Sequence, residues 1–236
     1  MAAGIAFDAT QKSSSTITPG NTYTLALTVS AAAGQERLVF LAAVGDTASS
    51  DFSACTIDGQ TGSRVGSKVT GASGDPAIIT AYRAAGTAST SINVVATVGG
   101  AQTFSCVCSC YKLTGAGTLS TSSSSITINP TLSVNTVTGG VAAAGVECYN
   151  STAPGTSVWT GLTEDYDTIQ AFGAGQDLFT GASLAIVSGS TPLAITVTTT
   201  GAPSTSSAGL CLSFDPAAAA GGTTKQMHHR QQMAAA

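Results

Sequence analysis

Residues 22 to 30 read TYTLALTVS, and their alternation decides the fold class. Tyr23, Leu25, Leu27 and Val29 fall on one face of an extended chain, while Thr22, Thr24, Ala26 and Thr28 fall on the other. That is the period of a half-buried strand. SINVVATV (91 to 98) and LAITVTTT (193 to 200) alternate in the same way. RLVFLAAVG (37 to 45) and VAAAGVECY (141 to 149) are apolar on both faces, as central strands of a sandwich would be. Between the runs stand turn signals: Pro19-Gly20-Asn21, Asp58-Gly59, Gly99-Gly100, Gly139-Gly140 and Gly201-Ala202-Pro203. Nothing before residue 216 combines a 3.6-residue period with helix caps, so the predicted class is an all-β sandwich or barrel.

The order of strand types repeats. RLVFLAAV is followed by AIITAYR, SINVVATV and a cysteine-bearing strand that ends in KLTG. VAAAGVECY is followed by SLAIVSG, LAITVTTT and AGLCLSFDP. This predicts a pseudo-symmetric sandwich of two Greek-key halves within one domain, residues 1 to 215, with Ser122 to Ser125 as a loop between the halves. After Asp215 the composition changes. PAAAAGGTTKQMHHRQQMAAA reads as a linker followed by a docking arm, residues 216 to 236, in which Lys225, Met227, His228, His229, Arg230 and Met233 would meet a neighbouring subunit.

Composition narrows function. Only 8% of the residues are charged and about 65 of the 236 are Ser or Thr, so the surface is built from hydroxyls and small side chains. Low charge favours association, and a homo-oligomer or larger assembly is expected. The net charge is −4 and residues 1 to 215 carry six Lys and Arg against twelve Asp and Glu, which leaves no basic stripe for nucleic acid. No basic and apolar leader opens the chain and no apolar run of membrane-spanning length follows. Synthesis in the cytoplasm without a signal peptide or membrane insertion is expected.

The chemistry-bearing residues are few. Both histidines lie in the arm, so the body offers no imidazole for a catalytic triad or for activating a thiol, and no catalytic residue, cofactor or metal site is predicted. Glu164, Asp165 and Asp167 in TEDYD are the densest carboxylates. They read as a solvated turn, with a Ca²⁺ loop or a polysaccharide-cleaving acid pair as sharper alternatives. Trp159 and Tyr166 are candidate glycan contacts.

FSCVCSCYKL (104 to 113) places Cys106, Cys108 and Cys110 on one face of a strand. Same-face neighbours stand about 6.5 to 7 Å apart with parallel side chains, which suits neither a disulfide between them nor the knuckle turns of a zinc site. Two readings stay open: small apolar core residues, or disulfides across strands or subunits with Cys55, Cys148 or Cys211.

The opening GIAFDATQK, the run ERLVFLAAVGD, then TIDGQ, AIITAYR, YKLTG, WTGLTEDYD and the closing FDP together resemble a recurrent β-sandwich domain of bacteriophage structural proteins, which is also found in bacterial surface proteins. The resemblance covers residues 4 to 216. It implies an antiparallel, jelly-roll-like or concanavalin-like sandwich without catalytic residues, here followed by a short C-terminal arm. It also implies a place on the virion surface, as a capsid-decorating, cementing, spike or collar protein whose partners are other virion proteins of capsid, neck or tail. A receptor- or glycan-binding fibre module, or a bacterial surface protein, is the alternative.

Overall fold

A computed structural model describes residues 2–12, 22–45, 51–70, 77–99, 103–150, 154–172, 175–189, 192–201 and 206–218. The docking-arm residues Lys225 to Met233 lie outside these. Seventeen strands account for most of the described chain. In the first half they are β1 (Gly4–Lys12), β2 (Thr22–Thr28), β3 (Glu36–Gly45), β4 (Asp51–Ile57), β5 (Gln60–Thr61), β6 (Ser63–Val69), β7 (Ala77–Ala85), β8 (Ser91–Gly99) and β9 (Thr103–Thr114). In the second they are β10 (Ala116–Ser125), β11 (Thr131–Val134), β12 (Val141–Asn150), β13 (Pro154–Thr160), β14 (Thr163–Phe172), β15 (Gly175–Ala185), β16 (Leu193–Gly201) and β17 (Ser206–Pro216).

Every pairing is antiparallel, and the strands form four sheets. Sheet A has the order β1-β9-β3-β7-β6 and sheet B the order β2-β8-β4-β5. Sheet C repeats A as β10-β17-β12-β15-β14, and sheet D repeats B as β11-β16-β13. Each half of the chain thus completes a two-sheet sandwich with the strand order of a jelly roll. The repetition legible in the order of strand types becomes two jelly rolls in tandem, joined at Gly115, whose φ of 59° suits glycine.

Four layers follow, in the order B, A, C, D. One core lies between A and B, where Val39, Leu41 and Ile78 meet Leu25, Phe52 and Val94. A second lies between A and C, where Phe40, Ile79 and Tyr111 meet Ala143, Phe179 and Leu210. A third region lies between C and D, where Ala142, Ala144 and Cys211 meet Leu132 and Ile195, with Val146 and Leu178 against Val197 beside it. This arrangement explains why RLVFLAAVG and VAAAGVECY are apolar on both faces apart from Arg37 and Glu147: sheets A and C have a core on each side. The outer sheets B and D have one, and their strands alternate.

In the A–C seam β3 lies over β12, β1 over β14 and β15, and β6 over β10 and β17. Like ends coincide. Lys12 Nζ bonds the Ile169 carbonyl at one end, while Arg83 at the other reaches the Ala116 and Gly117 carbonyls and stacks over Phe214. The two jelly rolls are therefore related by a pseudo-two-fold axis that runs along the strands.

Two segments differ from expectation. Ser122 to Ser125 belong to β10, paired with Leu212 to Gly209 of β17, rather than to a loop. TEDYD begins the ten-residue strand β14 rather than forming a turn. In both, main-chain pairing at a sheet edge holds a polar sequence that has no apolar face to announce it. Asp58-Gly59 turns as expected, both residues at positive φ between the paired Ile57 and Gln60.

Candidate functional site

The polar side chains of the second jelly roll converge where β13 crosses β14 and β15. A bulge at Asp165 sets up the convergence: Glu164 faces Ala182 and Tyr166 faces Gly181, so the alternation slips by one residue. As a result Glu164 and Asp167, three apart, both turn towards sheet D, while Tyr166 turns into the A–C seam. Ser157 of β13 stands at the centre. Its amide donates to Asp167 Oδ2 at 2.9 Å, and its hydroxyl lies 2.7 Å from Asp167 Oδ1, 3.2 Å from Glu164 Oε2 and 2.7 Å from Thr180 Oγ1. Trp159 Nε1 donates to Ser157 Oγ at 3.0 Å and to Thr180 Oγ1 at 2.8 Å. Burial and the nearby Asp167 raise the Glu164 carboxyl above its ordinary value, and the Ser157 hydrogen bond opposes that rise.

The first jelly roll carries the same node with its roles exchanged. β6 has its bulge at Val65, which places Ser67 opposite Thr80 just as Asp167 stands opposite Thr180. Here the carboxylate comes from β4. Asp51 Oδ1 accepts from Thr80 Oγ1 at 2.9 Å, Ser67 Oγ at 3.3 Å and the Phe52 amide at 2.7 Å, and Arg64 pairs with the other oxygen. Each node ties the outer sheet of its jelly roll to the inner one. In both nodes the carboxylates bond hydroxyls and a main-chain amide, and these bonds orient the strands against each other.

The TEDYD carboxylates do not converge as a cation loop would require. Glu164 and Asp167 turn to Ser157, whereas Asp165 lies beside Ser183 and Tyr111 on the seam side. Among the described residues no group of three His, Cys, Asp or Glu side chains could hold a metal ion. Trp159 and Tyr166 lie on opposite sides of sheet C: Trp159 packs on the C–D core, and Tyr166 stacks on Phe7 in the seam with ring centroids 5.2 Å apart. They do not share a surface on which one sugar could rest. A hollow of about 400 Å³ opens near the chain crossing, lined by Glu36, Val65, Arg83, Thr118 and Leu119. Its one cation, Arg83, is engaged by Glu36 and two carbonyls.

All six cysteines are free and buried, so the disulfide expectation is corrected. Cys106, Cys108 and Cys110 face the A–B core, while Cys148 and Cys211 face sheet D. Two sheets and the seam separate the groups, and none of the six is more than 3% exposed, which also puts a neighbouring subunit out of reach. Cys55 alone shares a core with the β9 thiols. Burial pushes Cys55 and Cys148 up to about 12, far from the thiolate form that attacks disulfides. Cys110 is raised less, to about 11, because burial is opposed by the Arg37 guanidinium 3.8 Å from its sulfur. Arg37 is itself buried and pairs with Asp8 at 2.8 Å, from the bulge in β1. The Asp of the FDA opening is thus a buried counter-ion, a role that its exposed-looking context hid.

No protein family, no curated protein and no solved structure matches the chain.

Proposed function

We propose that this chain is a non-enzymatic structural subunit of a bacteriophage particle, one that decorates or cements the capsid or forms part of a spike or collar. The observation that supports this most is the tandem jelly roll closed on itself through sheets A and C. Jelly rolls recur in viral capsid proteins. Here both inner sheets serve internal packing, and the outward faces of B and D present hydroxyls: Thr22, Thr24 and Thr28 on β2, and Thr196, Thr198 and Thr200 on β16. Such a surface meets a neighbour without the heavy desolvation cost of buried charge. Contact would rest on apolar burial, at about 25 cal/mol per Å², and on pairing at strand edges. A stable contact needs about 800 Å² from each partner. The arm after Pro216 is the proposed anchor, and its partners are other virion proteins or further copies of the chain.

The test is intact-particle mass spectrometry on gradient-purified particles, comparing the full chain with one that lacks residues 217 to 236. Stoichiometric copies in the particle, lost with the arm, are expected. A chain that sediments free of particles would overturn the proposal. Undiminished occupancy after deletion would remove the arm from it.

A further inference from the structure

The seam holds an acid that strand packing does not require. Glu147 follows Val146 and precedes Cys148, both of which face sheet D, so its side chain points the other way, towards sheet A. Gly145 points there too: a Cβ on it would meet Ile79 and Phe40. Glu147 is 0% exposed, and neither of its carboxyl oxygens has a hydrogen-bond partner. On β15, Asp177 lies on the same face at the diagonal position, also 0% exposed. An ionised carboxylate there would give up its water and gain no partner, beside a second acid.

We propose that Glu147, with Asp177 beside it, is a pH-operated latch between the two jelly rolls: the seam is closed while Glu147 holds its proton and loosens when alkaline pH removes it. This does not rest on a place in a virus particle. Burial first, and Asp177 second, raise the Glu147 carboxyl well above its ordinary value of 4.5. The groups around it do not offset this. On its own strand Tyr149 shares the face of Glu147 and stands opposite Asp177, while β17 presents Ala208 and Leu210, β3 presents Phe40 and Ala42, and β7 presents Ala77 and Ile79; of these only Tyr149 titrates, and a phenol carries no positive charge to offset an ionised Glu147. The basic side chains of sheet A on the seam side stand away from it or are engaged. Lys68 is on the β6 edge strand, Lys12 on the β1 edge bonds the Ile169 carbonyl, and Arg83 is held at the far end. No ion pair to Glu147 is formed among the described residues.

The closed form keeps a proton that the open or unfolded chain releases above pH about 4.5, so closure weakens as pH rises. The ratio of closed to open molecules should fall by up to about tenfold per pH unit until Glu147 ionises within the fold, and then level off. Hydrogen exchange of the full chain between pH 5 and 9, corrected for the intrinsic pH dependence of exchange, measures this. Amides of β3, β7, β12 and β15 should exchange progressively faster with pH, and the near-ultraviolet circular dichroism of the seam residues Tyr111 and Tyr166 should weaken. Trp159 emission, from the C–D core, should lag behind. Glu147→Gln should flatten the pH dependence, and Asp177→Asn, which removes the neighbouring acid, should shrink it. Seam exchange in the wild type that does not change with pH would overturn the latch, even if the Gln variant fails to fold. So would an unaltered slope in both variants.

Discussion

Gly181 offers the sharpest test of how closely the two jelly rolls approach. An alanine Cβ at this position would stand 2.8 Å from Tyr111 Oη and 2.8 Å from Tyr166 Cζ, and nearer still to Tyr166 Cε1. Ordinary carbon contacts lie at about 3.5 to 4.0 Å, so each ring would have to retreat by roughly 0.7 Å or more. Neither has room. Tyr111 meets Phe7 at 5.5 Å and Phe40 at 6.0 Å, both edge to face, and Tyr166 is stacked on Phe7. Overpacking of this kind costs about 1 to 3 kcal/mol, against which the more restricted unfolded chain of alanine returns about 0.5 to 1 kcal/mol. Taking like ends of the two ranges, the net expectation is a loss of about 0.5 to 2 kcal/mol. With a urea slope of about 3 kcal/mol/M the midpoint should fall by roughly 0.2 to 0.7 M. Gly4→Ala is the control, because its nearest neighbour would be Thr114 Cβ at an ordinary 3.8 Å. Urea titration of both variants decides. A Gly181→Ala midpoint equal to the wild type, or a Gly4→Ala midpoint that falls as far, would refute the described packing of Tyr166 of sheet C and Tyr111 of sheet A around Gly181.

Three further outcomes follow from the same geometry. Asp8→Ala leaves the Arg37 guanidinium buried without its counter-ion and should cost about 3 to 5 kcal/mol, whereas Asp8→Ala combined with Arg37→Leu should recover much of that in chemical denaturation. Thr180→Val removes a partner of both Trp159 Nε1 and Ser157 Oγ. It should cost about 1 to 3 kcal/mol and shift Trp159 emission, while Thr80→Val should destabilise the first jelly roll by a similar amount and leave that emission unchanged. A thiol reagent added to the native chain should label no cysteine, and all six should react in denaturant. Rapid labelling of any one in the native state would contradict its burial.

The parts of the architecture legible in the sequence are those where side-chain period reports burial. TYTLALTVS alternates because sheet B has one core, and RLVFLAAVG does not because sheet A has two. The duplication showed only in the order of strand types, since packing preserves the character of a position and tolerates a change of residue. Strands held mainly by main-chain bonds were invisible: Ser122 to Ser125 and TEDYD carry no apolar period. The candidate site was half legible. Glu164, Asp167 and Trp159 stood out as residue types, but the bulge at Asp165 decides which of them share a face, and alternation alone misassigns every residue beyond it. Ser157 and Thr180, the centre of the node, look like any of the other hydroxyls. The thiols were correctly aligned on one face. That Cys148 and Cys211 face a different core depends on the four-layer stack, which no local pattern encodes.

The pseudo-two-fold seam gives the chain the geometry of a symmetric dimer whose two protomers have been covalently joined. Separate protomers would lose translational and rotational freedom on meeting, a cost that the single-residue connection at Gly115 largely removes by holding the halves at a high effective concentration. The interface is then released from the constraint of self-complementarity. Each side can change without the same change appearing opposite, which is how an acid such as Glu147 can occupy one half of the seam while Ala42 and Ile79 line the other.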